Sequence, residues 1–107
     1  MSKITAAKCF FDKKTASDLI DRYVFQTGHL VRRIPEYLAK KEFMRLEGIG
    51  ETIRDSSAVL RADLLTSAGT ALQQAAKERD AAAVKKAFKD IHSGFAAFVK
   101  AARESLQ

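Results

Sequence analysis

The sequence has few residues that staple or interrupt a chain: one cysteine, one proline and five glycines in 107 residues. A lone Cys9 forms no internal disulfide, and its place beside Phe10 and Phe11 marks it as a buried structural thiol. No run approaches the roughly 18 apolar residues that a membrane-spanning helix needs, so no membrane partner is expected. Strand-like alternation at a period of two is missing, as are low-complexity tracts and a convincing internal repeat. The opening, Met1-Ser2-Lys3-Ile4-Thr5-Ala6-Ala7-Lys8, is too polar for a secretory signal, and a cytoplasmic protein is expected. Catalytic constellations are missing too. Ser56 and Ser57 have no recognisable base partner, and Asp18, Asp21, Glu36 and Glu42 read as surface carboxylates on amphipathic helices. His29, His92, Met44 and Cys9 share no metal-ligand spacing. The expectation is a non-enzyme without metal or cofactor.

What the chain does carry is helical periodicity. Val84, Phe88, Ile91, Phe95, Phe98 and Ala102 follow one another at steps of three and four. Such steps return side chains to one face of a helix turning every 3.6 residues, and that apolar face must be covered by another element. Apolar residues at 47% and charged ones at 30% suit a folded domain, and the length suits one domain, residues 1–107, with an irregular lead-in over 1–14. The expected fold is all-α, an up-and-down four-helix bundle, with Phe10 and Phe11 of the lead-in packed across one end.

Thr15, Ser17 or Asp18 is a candidate cap for the first helix, whose stripe runs through Leu19, Ile20, Tyr23, Leu30, Val31, Ile34, Tyr37 and Leu38. Pro35 cannot donate to the Val31 carbonyl, which predicts a bend or break near Ile34, with Pro35 opening the next helix. That basic helix, holding Lys40, Lys41 and Arg45, is expected to end in a turn at Gly48-Ile49-Gly50. A third helix then runs from Glu51 through Ile53, Ser57, Leu60, Leu64 and Ala68 to Ala75. Asp80, ahead of Ala81-Ala82-Ala83, has the chemistry of an N-cap for the fourth helix.

Residues 72–103, from Leu72-Gln73-Gln74 through Phe95-Ala96-Ala97-Phe98-Val99 to Arg103, resemble the last two helices of the cytochrome c-prime family of four-helix bundles. The resemblance implies a bundle and, in the family, a haem held by a Cys-x-x-Cys-His motif. Here Phe95, Phe98 and Val99 stand where that family has its two thiols and its imidazole. Two phenylalanines fill the space of a porphyrin, so a closed core without cofactor is expected, with haem or small-ligand binding as an alternative. A second stretch, Phe43 to Ile53 around Gly48-Ile49-Gly50, resembles the hairpin of helix-hairpin-helix DNA-binding motifs. That resemblance implies a nucleic-acid grip in which Gly48 and Gly50 let backbone amides approach a phosphate, supplemented by Lys40, Lys41, Arg45 and Arg54. Glu47, Arg54 and Glu51 depart from that motif at positions where proline, a small residue and an uncharged residue suit it better.

Net charge is +6, spread as +5 over residues 1–45, −2 over 46–78 and +3 over 79–107. An anion-seeking face therefore draws mainly on the first segment. Arg32 and Arg33 are its focus, with Phe25 as the aromatic that the core stripe leaves free for contact. The expected function is a non-catalytic binding module that docks onto an acidic protein or onto another copy of itself.

Overall fold

In the computed structural model, which describes residues 13–106, four helices follow one another: α1 (Lys13–Ala39), α2 (Phe43–Val59), α3 (Asp63–Lys77) and α4 (Ala81–Leu106). No strand occurs among the described residues. Cys9, Phe10 and Phe11, with the rest of residues 1–12, lie outside them. Each helix packs on its chain neighbours, and α1 closes the ring against α4, as expected of an up-and-down bundle. Ile34 of α1, Leu46 and Ile53 of α2, Leu72 of α3, and Val84 and Ile91 of α4 are fully buried at its centre. The seam of the last helix is as its spacing predicts: Val84, Ile91 and Ala102 are buried, and Phe88, Phe95 and Phe98 pack against the core. Asp80 caps that helix, its Oδ1 accepting from the Ala83 amide at 3.1 Å.

The first two breaks between helices fall at other residues than expected, while the third, ahead of the Asp80 cap, falls where expected. Pro35 lies inside α1, which continues through it to Ala39, so no new helix begins there. Lys13 and Lys14 are already helical, which removes Thr15, Ser17 and Asp18 as caps. Lys40 and Lys41 sit in the first turn rather than in a helix. Gly48-Ile49-Gly50 is the middle of α2. Glycine in a helix interior costs about 1 kcal/mol against alanine, but burial of Leu46, Ile49 and Ile53 along one face outweighs it. The expected third helix is in fact two, parted at Leu60-Arg61-Ala62; Leu65 is buried and Leu64 is 81% exposed.

All three turns are built alike. Lys41, Arg61 and Arg79 adopt φ of 57°, 59° and 57°. Their amides donate to the carbonyls of Leu38, Ala58 and Ala76. The amides of the next residues, Glu42, Ala62 and Asp80, reach back to Tyr37, Ser57 and Ala75 at 2.9, 2.9 and 3.0 Å. This is the Schellman closure, in which glycine normally takes the left-handed position. A residue with a Cβ there costs roughly 1–2 kcal/mol, partly offset by a cation at a helix C-terminus. Arg61→Gly is therefore expected to stabilise the fold by about 0.5 kcal/mol, read as a higher urea midpoint at unchanged slope; a lower midpoint would contradict the strain.

Between α2 and α3 the backbones touch. A Cβ built on Gly50 would lie 2.5 Å from the Gln73 amide nitrogen and 2.8 Å from the Gly69 carbonyl oxygen. One on Gly69 would lie 2.7 Å from the Arg54 nitrogen. Beside this crossing the Arg54 Nη1 donates to Gln73 Oε1 at 2.7 Å, tying the two helices together.

Candidate functional site

A helix advances about 100° per residue, so residues four apart form a slowly winding ridge. On α1 one such ridge reads Phe25, His29, Arg33, Tyr37, running from the exposed face to the core stripe at Tyr37. Phe25, His29 and Arg33 are exposed, Phe25 at 74%, while Tyr37 is half-buried with its ring against the core. The first turn reverses the chain and lays α2 alongside, bringing Arg45, Gly48, Ile49 and Thr52 opposite that ridge. Between them runs an open groove of about 500 Å³. Its floor is Leu30 and Ile49, and its walls are His29 and Arg33 from α1 and Arg45 from α2.

The electrostatics of the groove are one-sided. Among the described residues no carboxylate lines it. Arg33 has no ion-pair partner among the described residues. Arg45 is held at the groove mouth by Glu42, Nε to Oε1 at 2.7 Å, and its guanidinium stands 5.5 Å from the centre of the Tyr37 ring. The hydrogen bond to Glu42, with that carboxylate's charge, raises the Arg45 pKa. Gly48 has nothing within 4 Å of where a Cβ would stand, so the groove keeps free space over the α2 backbone. An arrangement of this kind can receive an anionic group between two arginines while apolar atoms beneath exclude water.

The nine residues expected to bind fall into four places. Arg33, Arg45 and Gly48 line the groove. Phe25 and Arg32 are exposed on the outer face of α1 beside it, seven residues apart and so nearly in line. Lys40 pairs with Glu36 at 3.5 Å, and Lys41 occupies the α1–α2 turn. Gly50 and Arg54 belong to the α2–α3 crossing: Gly50 is buried, and Arg54 is engaged by Gln73, by Asp55 at 2.9 Å and by Glu51 at 3.9 Å. The hydrogen bond to Asp55 raises the pKa of Arg54. Because α2 is continuous, amides 48 to 50 lie within the helix, which corrects the turn expected at Gly48-Ile49-Gly50 and with it the phosphate-cradling hairpin that the resemblance implied.

His29 and Tyr37 were not expected in a site, His29 reading as a flank residue and Tyr37 as core; their signal is the four-residue spacing with Phe25 and Arg33. At the opposite end of the bundle Phe95 and Phe98 close on Tyr23, with ring centres 6.4 and 5.1 Å apart, and Val99 is half-buried. His92 is exposed beside Phe88, and Met44 is exposed. No group of three or more potential metal ligands occurs among the described residues, and none of the helices there is long and apolar enough to cross a membrane. No family model, curated protein or solved structure matches the chain. What holds of the likeness to the cytochrome c-prime bundles is the four-helix all-α architecture.

Proposed function

We propose that this chain is a non-catalytic binding module that docks an acidic protein segment along α1 and the α1–α2 groove. The observation that carries it is the groove lining, where Arg33 of α1, without an ion pair among the described residues, and Arg45 of α2, shared with Glu42, stand over an apolar floor. The ridge through Phe25, His29 and Arg33, flanked by Arg32, extends the same character beyond the groove. Basic side chains speed encounter with an acidic partner, and burial of the Phe25 ring and the groove floor slows its release. A second copy of the chain is the weaker candidate, because a symmetric contact would set this basic face against itself.

The experiment uses a glutamate-rich peptide titrated into isotopically labelled protein, followed by amide chemical shifts. Shifts are expected at residues 25–37 and 45–52, with affinity falling as salt rises. Charge reversal with Arg32→Glu and Arg33→Glu is expected to weaken binding at least tenfold, about 1.4 kcal/mol, and to flatten the salt dependence. Unchanged affinity and salt dependence in that variant would remove the proposal. So would a duplex DNA fragment that perturbs this face more strongly than the peptide at matched salt.

A further inference from the structure

A different cleft lies where the last turns of α1 meet the first turns of α4. Its volume is about 550 Å³, within the roughly 300–1,000 Å³ range of small-molecule sites. Ile34, Leu38 and Phe88 form its floor, and among the described residues the charged side chains lining it are Lys41 and Lys85. Lys41 reaches the cleft from the first turn and Lys85 from α4, and both are exposed. Neither makes an ion pair among the described residues, whereas Lys40 and Lys86 beside them are paired with Glu36 and Asp90. The carboxylates adjacent in sequence to the lining residues are already engaged, Glu36 in pairing with Lys40, Glu42 in pairing with Arg45 and Asp80 in capping Ala83.

We infer that this cleft binds a single amphipathic acid, a medium-chain alkyl carboxylate, whose chain lies on Ile34, Leu38 and Phe88 and whose head meets Lys41 and Lys85. Apolar burial supplies most of the attraction, and the two ammonium groups, one from the first turn and one from α4, supply the charge that holds the head. The cleft extends along only about two turns of each helix, roughly 10 Å on α4 from Ala81 to Phe88. That is short for a protein interface of about 800 Å² per partner and suits a small molecule. The site is separate from the α1–α2 groove, sharing no lining residue with it.

Decanoate, kept below its aggregation threshold, is the probe, titrated into the labelled full chain. Saturable one-to-one binding is expected, with amide shifts confined to residues 34–41 and 81–88. Decanol, which has the same chain without the charge, is expected to bind at least tenfold more weakly. The Lys41→Ala, Lys85→Ala double variant, checked for an unchanged helical circular dichroism spectrum, is expected to lose the difference between the two ligands. Equal affinity for decanoate and decanol in the unaltered chain would overturn the inference. Shifts centred on the α1–α2 groove, or binding only to vesicles containing phosphatidylglycerol, would overturn it as well.

Discussion

Gly50→Ala is expected to destabilise the fold by about 3 kcal/mol or more, although it adds one methyl group to a helix and improves helix propensity. The reason is what the methyl would meet. Its position lies 2.5, 2.8 and 2.9 Å from backbone atoms of Gln73 and Gly69, and backbone in a packed helix has no rotamer to yield. The helices must separate, and the separation reaches Leu46, Ile53, Ala68 and Leu72, which are buried around the crossing. Gly69→Ala is expected to act alike, since its methyl would sit 2.7 Å from the Arg54 nitrogen and 2.9 Å from the Gly50 oxygen. Gly48→Ala is the control within the same helix. With nothing near its Cβ it is expected to gain up to about 1 kcal/mol from propensity alone. Denaturant midpoints of the three variants test the contrast; a Gly50→Ala midpoint equal to or above that of the parent would refute direct backbone contact.

The same two glycines show what could be read from the sequence and what could not. Where apolar spacing continued without interruption, as from Val84 to Ala102, the buried face and the Asp80 cap came out as the spacing predicted. Glycine misled at Gly48-Ile49-Gly50, because a residue that frees the backbone also lets another helix approach, and local sequence does not distinguish the two uses. The turns at Lys41 and Arg61 sit on good helix formers with no local turn signal, held left-handed by the closing of the hairpins around them, whereas the turn at Arg79 is announced by the Asp80 cap that follows it. At Leu60-Arg61-Ala62 the three-residue turn also kept the apolar stripe in step, so Ile53, Ser57, Leu60 and Leu64 read as one helix across it. The candidate site inherits this limit. Exposed Phe25 and the basic weight of α1 follow from the first helix alone, but the partnership of Arg33 with Arg45 exists only once the reversal is placed at Lys41 and α2 runs unbroken through Gly48.

The buried side-chain hydrogen bond between α1 and α2 gives the second large effect, and its dependence on pH gives it a signature. Ser57 is fully buried, and its Oγ lies 2.7 Å from the Tyr23 hydroxyl, with buried Thr27 one turn further along α1. Ser57→Ala removes a partner from a hydroxyl already out of water, which is expected to cost about 1–3 kcal/mol. Burial raises the Tyr23 pKa above its ordinary value of about 10, the hydrogen bonds to Ser57 and Thr27 only partly opposing it. The folded chain therefore keeps this proton at a pH where the unfolded chain gives it up. The stabilisation is complete below about pH 10 and is lost as pH rises through the folded value. Tyr23→Phe is expected to be less stable than the parent at pH 8, where Ser57 loses its partner, and to close that gap progressively above pH 10. Denaturant midpoints of the parent and of Tyr23→Phe, measured together from pH 8 to 11.5, separate this from the titration of lysines, which both chains share. Curves that stay parallel over that range would show that the phenol ionises as readily folded as unfolded, and the buried hydroxyl pair would then not be what holds this end of the bundle together.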